Sequence, residues 1–149
     1  MKGGEQDGQG AAILLVEDDP DDVRIIVKAL ETSPIPVAIT TVDNGHAALG
    51  ELERISAAGE APPDLVLLDL NLPVLSGTEF LARLRKHAVF GAIPVCVFTT
   101  ADDAVTIRRA YAAGANAVVT KADSLVGMSE ALHTIVEFWF KVAERYGPN

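Results

Sequence analysis

The chain has 149 residues, 49% of them hydrophobic, which fits one domain with enough apolar material for a core that needs no staples. Its net charge of −9 argues against direct binding to nucleic acid, which requires a basic surface to meet the phosphates. No apolar run approaches the length of a membrane span, and the single cysteine, Cys96, excludes a disulfide framework, so a buried thiol and a cytoplasmic location are expected.

Residues 1–10 are glycine-rich and polar and lack the apolar stretch of a signal peptide; they read as a disordered lead-in, leaving 11–149 as one domain. Beyond them, five short apolar runs rich in β-branched residues, 12–16, 37–42, 65–68, 93–98 and 117–120, alternate with five helical patterns. Three of the runs are apolar almost throughout, which suits parallel strands covered on both faces.

The first helix is announced by Asp19-Pro20-Asp21-Asp22, a capping residue, a first-turn proline and two helix-start acids, with Val23, Ile26, Val27 and Leu30 as its inward face. Asn44-Gly45 opens a second, on which Leu49, Leu52 and Ile55 recur at helical spacing. Ser76 with Glu79, and Thr100 with Asp103, fit capping boxes ahead of a third and a fourth, and Gly114 closes the fourth. A fifth begins near Asp123 or Ser124 and runs long, with Leu125, Met128, Leu132, Ile135, Trp139 and Val142 as the stripe that meets the sheet. Phe138 and Phe140 flank that stripe, so the helix end is apolar on most sides and predicts a homodimer interface built partly from Phe138, Trp139 and Phe140.

Strand then helix, five times over, implies crossovers of one hand and an α/β fold, a doubly wound parallel sheet between two layers of helices. Ligands in such a sheet bind beyond the carboxyl ends of the strands, where the strand order reverses. At those ends stand Glu17-Asp18-Asp19, then Asp69, then Thr99-Thr100, then Lys121. Carboxylates about 4 Å apart repel by on the order of 4 kcal/mol per pair at an effective dielectric near 20. A divalent cation removes that cost, and hard oxygen ligands suit magnesium, which also binds phosphate oxygens. Asp69 is then a carboxylate placed to attack phosphorus, with Lys121 and Thr99 available to the phosphoryl oxygens.

Each residue has a plainer reading. Glu17, Asp18 and Asp19 could be the acidic opening of a helix, Asn71 and Pro73 ordinary turn residues, Thr99 a strand threonine and Lys121 a solvated lysine. Asp69 resists such a reading, because an acid ending a buried strand is expensive unless it is paired or bound. The joint placement of these groups on four strand ends favours one site. Asp102 and Asp103 read as solvated, helix-starting acids.

The segment Ile13-Leu14-Leu15-Val16-Glu17-Asp18-Asp19-Pro20 resembles the opening of response-regulator receiver domains. Leu67-Leu68-Asp69-Leu70-Asn71-Leu72-Pro73, followed by Gly77, resembles their phosphorylation-site segment, and Phe98-Thr99-Thr100-Ala101 and Thr120-Lys121 complete the set. The resemblance implies a flavodoxin-like receiver fold with strand order 2-1-3-4-5, five helices and an extended C-terminal helix. It implies Asp69 as phospho-acceptor, Glu17 and Asp18 as metal-binding acids, Asn71 offering its backbone carbonyl to the Mg2+ ion, and Thr99 and Lys121 contacting the phosphoryl group. It also implies a histidine kinase as partner and a phospho-accepting signalling protein rather than an enzyme with turnover. Residues 94–101 and Glu137-Phe138-Trp139-Phe140 resemble the stand-alone regulators paired with bacterial phytochrome kinases. Two departures stand out: Val118 where the family usually has an aromatic that follows the threonine's movement, and Ala122 where a proline usually follows the lysine.

Three rivals come from other classes. A phosphatase with an aspartyl intermediate would want an acid two residues after the nucleophile, where Asn71 stands. A flavodoxin-like cofactor binder would want a hydroxyl- or glycine-rich loop after the first strand, where Glu17-Asp18-Asp19 would repel phosphate. A degenerate receiver used only for interaction would not need the full set of acids, threonine and lysine.

Overall fold

The computed structural model describes residues 11–144; the expected lead-in, 1–10, and the last five residues of the expected domain lie outside them. Five strands, β1 (Ala11–Val16), β2 (Val37–Val42), β3 (Leu65–Leu68), β4 (Val95–Thr99) and β5 (Ala117–Thr120), form one parallel sheet in the order 2-1-3-4-5. The helices are α1 (Pro20–Glu31), α2 (Gly45–Ala58), α3 (Gly77–Arg85), α4 (Ala104–Ala113) and α5 (Leu125–Glu137), the last continuing into a π-helical turn (Phe138–Val142).

The strand order dictates which helix lies where. The step from β1 to β2 moves one way across the sheet, and every later step moves the other way. With crossovers of one hand, α1 must then cover one face and α2, α3 and α4 the opposite face. The packing agrees. Leu14, Val16, Val66, Leu68, Val95 and Val97 meet Leu52 of α2, Phe80 and Leu84 of α3 and Ala110 of α4. Their alternates Ile13, Leu15, Leu65, Leu67, Cys96 and Phe98 meet Ile26 and Leu30 of α1 and Met128, Leu132 and Ile135 of α5. Period-two alternation sends neighbours to opposite faces, and both faces are apolar because both are covered. Cys96 lies fully inside, where burial pushes its thiol up to about 12 and leaves it without thiolate character.

Helix starts follow the sequence signals with one exception. Asp19, Asn44 and Ser124 cap α1, α2 and α5, and Ser76 with Glu79 forms the full capping box of α3. The box expected from Thr100 and Asp103 does not form: Asp103 is itself the cap of α4, accepting from Thr106 N–H at 3.0 Å, and Thr100 stays in the loop. Gly114 ends α4 in the left-handed region, φ 118°.

Three expectations shift in detail. β1 begins at Ala11, and β4 begins at Val95 rather than residue 93, because Pro94 has no N–H for the ladder and the Ile93 carbonyl is taken by Arg85. Arg85, at the end of α3, also donates to the carbonyls of Gly91 and Gly114 and to Asn116 Oδ1, so one guanidinium ties α3 to the entries of β4 and β5. On α5, Met128, Leu132 and Ile135 are buried as expected, but Leu125 and Val142 are exposed and Val136 joins the core instead. The π-helical turn adds a residue to the helical period, so Trp139 and Phe140 both turn toward the α1/α5 core and Phe138 is left outward at 48% exposure.

Candidate functional site

The strand order reverses between β1 and β3, and the residues that follow these two strands stand side by side. Glu17 N–H donates to the Val42 carbonyl at 3.0 Å and Asp69 N–H to the Val16 carbonyl at 3.0 Å, so each acid continues the parallel ladder and its backbone is fixed. Glu17, Asp18 and Asp69 bring one carboxylate oxygen each to within 4.8 Å of one another. Glu17 and Asp69 are buried and Asp18 is exposed, so the cluster has one face open to solvent. That face opens on a cleft of about 750 Å3 lined by Glu17, Asp18, Pro20, Arg24, Thr41 and Asp43.

Lys121 follows β5, and its N–H donates to the Thr99 carbonyl at 2.7 Å. Its side chain is buried, and Nζ donates to Glu17 Oε1 at 2.8 Å and to Asp22 Oδ2 at 2.7 Å, with Asp69 Oδ2 at 4.0 Å. Asp69 Oδ1 is taken by Leu70 N–H at 2.9 Å. Thr99 ends β4 fully buried, its hydroxyl accepting a long bond from Ala101 N–H at 3.4 Å. The buried groups carry more negative charge than one amine can answer, and both sides register it. Burial, then the charge of Asp69, raises the Glu17 carboxyl above the usual range even though Lys121 donates to it. Burial alone would lower the Lys121 ammonium, but its bonds to Asp22 and Glu17 and the charge of Asp69 outweigh that and raise it. A divalent cation on the three acids would relieve both.

The loop after Asp69 is set by close contacts. Gly77 N–H donates to the Leu70 carbonyl at 3.0 Å. A β-carbon at Gly77 would lie 2.4 Å from the Asp69 carbonyl oxygen, so α3 starts this close to the acid only because the residue has no side chain. Val74 has φ 67°, and Leu75 N–H reaches back to the Pro73 carbonyl at 2.7 Å, a three-residue turn of the strained hand. The turn delivers Leu75 into the core, where it packs on Gly45 at the start of α2. Asn71 is exposed in this loop, two residues beyond Asp69.

Five residues singled out from the sequence, Glu17, Asp18, Asp69, Thr99 and Lys121, therefore lie at one rim. Two partners had no sequence signal. Asp22 reads as a helix-start acid, yet it holds Lys121 across 99 positions of chain. Tyr111 of α4 accepts the Val118 N–H on its hydroxyl at 3.1 Å, so an aromatic does stand beside position 118, although β5 itself carries a valine there. Val118 and Ala122 pack half-buried against opposite cores.

The family model described as the response regulator receiver domain matches residues 13–133. Response regulator Rcp1 of Synechocystis sp. is 34% identical over 130 residues, covering 87% of this chain and 88% of its own. The crystal structure of the phosphorylated cyanobacterial phytochrome response regulator RcpA is 36% identical with a TM-score of 0.83, covering 91% of this chain and 98% of its own. That of the Mn2+-bound form of Rcp1 is 31% identical with a TM-score of 0.82, covering 92% and 99%.

Proposed function

Because the chain belongs to the response regulator receiver family, we propose that Asp69 accepts a phosphoryl group from the phosphohistidine of a histidine kinase, with magnesium held by Glu17, Asp18, Asp69 and the Asn71 backbone carbonyl. One observation carries the reading: Asp69 is a buried carboxylate that follows β3, with two further acids within 4.8 Å and the Lys121 amine at 4.0 Å. Bound magnesium supplies charge neutralisation to the acids and to the incoming phosphoryl oxygens. Asp69 has one oxygen engaged by Leu70 N–H and presents the other, Oδ2, toward Lys121. In the transfer, an Asp69 carboxylate oxygen forms the O–P bond as the P–N bond of phosphohistidine breaks, and the imidazole leaves with the electron pair. Lys121 and the Thr99 hydroxyl then donate to phosphoryl oxygens.

The protein acts as a signalling switch, with self-phosphotransfer and autodephosphorylation and no turnover of a separate substrate. Asn71 supports this over a phosphatase, since the position two residues after Asp69 carries no proton-transferring carboxyl. Residues 11–149 make up one receiver domain with its C-terminal extension. The phytochrome association in the names of relatives points to a phytochrome-type kinase as input. No helix among the described residues is long and apolar enough to cross a membrane, and a cytoplasmic setting fits a kinase partner. The end of α5 makes the protein a homodimer, with the outward Phe138 at the contact and Trp139 behind it, whereas Phe140, expected at the contact, packs on the core.

The test is intact-mass measurement after incubation with magnesium and acetyl phosphate. Wild type is expected to gain one phosphoryl group and Asp69→Asn none; equal gain by both overturns the assignment.

A further inference from the structure

Asp22 stands outside the acid cluster yet makes the shortest contact to the amine that serves it. Its Oδ2 accepts from Lys121 Nζ at 2.7 Å, against 2.8 Å for Glu17 Oε1 and 4.0 Å for Asp69 Oδ2. It sits in the first turn of α1, its side chain only a quarter exposed. An ammonium has three donors. Two are engaged, by Glu17 and Asp22. A cation that takes the Glu17 carboxylate as a ligand competes with the first of these bonds for the carboxylate's charge. The Asp22 bond meets no such competition, because Asp22 is not among the acids gathered within 4.8 Å. Asp22 is then the anion that competes with a phosphoryl group for the amine.

The geometry points to Asp22 as a positioning residue that draws the Lys121 ammonium back from Asp69 and thereby sets how tightly the site grips a phosphoryl anion; this rests on the reading of Asp69 as acceptor. Neutralising Asp22 has two effects of one sign. It removes a negative charge near the place of the phosphoryl oxygens, and it frees the lysine to serve them. The opposing effect, lost restraint on the lysine, is small, because that side chain is 5% exposed and its neighbours confine it.

The experiment is calorimetric titration of the whole chain with beryllofluoride, a phosphoryl analogue, at saturating magnesium. Asp22→Asn and Asp22→Ala are each expected to bind it about fivefold or more tighter than wild type. Asp21→Asn removes a charge from the same turn, but Asp21 is 75% exposed and paired with Arg24, so its effect is expected to stay within about twofold. In a Lys121→Met background only the direct charge effect is left, so the gain from Asp22→Asn is expected to fall to within about twofold, the range of Asp21→Asn. A gain no larger than that of Asp21→Asn, or one that persists in full without Lys121, overturns the positioning role and leaves Asp69 as acceptor. Wild type that binds no beryllofluoride overturns the acceptor assignment itself, and this inference with it.

Discussion

Gly77 packs so closely under Asp69 that any β-carbon there would stand 2.4 Å from the Asp69 carbonyl oxygen and 2.7 Å from the Leu70 Cα. Both contacts are backbone, so neither can swing aside. Gly77→Ala must push the start of α3 away from the end of β3, at a cost of about 1–3 kcal/mol. Gly50, inside α2, offers the contrast: a β-carbon there meets nothing within 4 Å. Gly50→Ala should therefore stabilise the helix by up to about 1 kcal/mol. Urea midpoints should separate the two in opposite directions, and Gly77→Ala should also slow phosphorylation by acetyl phosphate. Equal midpoints for the pair would show that the backbone yields more freely than its contacts imply.

Asp18 is the exposed member of the acid cluster, so its repulsion from Glu17 and Asp69 is partly screened by water. Asp18→Ala should lose most of the stabilisation that magnesium confers, while the metal-free protein gains no more than about 1 kcal/mol. Denaturant midpoints with magnesium and with a chelator measure both. An undiminished magnesium effect in the variant would remove Asp18 from the ligand set.

Stability of the metal-free protein should rise as the solution is made mildly acidic. Glu17 has its carboxyl raised by burial first and by Asp69 next, so the folded form takes up this proton before the unfolded form does. Between the ordinary carboxylate value of 4.5 and the raised folded value, the folded state holds more protons and gains from falling pH. Lys121 acts in the same sense at the alkaline end. Its raised ammonium contributes stability in full below the ordinary 10.5, and this is lost as pH climbs through the folded value. Magnesium should reverse the acid-side slope, because it binds the deprotonated carboxylates. Midpoints at about pH 5 and about pH 7, in chelator, for wild type and Glu17→Gln test this. A slope that survives the substitution places its origin elsewhere.

What the sequence makes legible follows from how local each signal is. Asp69 after four apolar residues, Glu17 after β1 and Lys121 after β5 are marked by their own strands, and the doubly wound order gathers them without further information. Asp22 is different, since nothing within a turn of it suggests a lysine 99 residues away. The guanidinium of Arg85 reaches the carbonyls of three loop and strand-entry residues that only the finished fold assembles. Val74 gives the opposite of its signal, because a β-branched residue favours extended backbone and here takes φ 67°. The π-helical turn escapes as well: a 3.6-residue period places Val142 inward, and one inserted residue moves Phe140 there instead.

That same turn narrows the expected homodimer contact. Phe138 is 48% and Val142 71% exposed, one turn apart, and the Phe138 ring stands edge-on to Trp139 at 5.0 Å. Trp139 and Phe140 already pack on the α1/α5 core, so Trp139 serves as backing and Phe140 belongs to the fold rather than to the contact. Burying a ring such as Phe138 is worth roughly 2–3 kcal/mol, and a two-fold axis counts it twice. Substitutions at the two outward positions, Phe138→Glu with Val142→Glu, should therefore give a folded monomer that still accepts a phosphoryl group. Phe140→Glu should instead lower the unfolding midpoint, by placing a charge against the α1/α5 core. Light scattering reads the first outcome and thermal denaturation the second. Wild type that stays monomeric at tens of micromolar, with and without phosphorylation, would leave the exposed ring without a partner copy and end the dimer assignment.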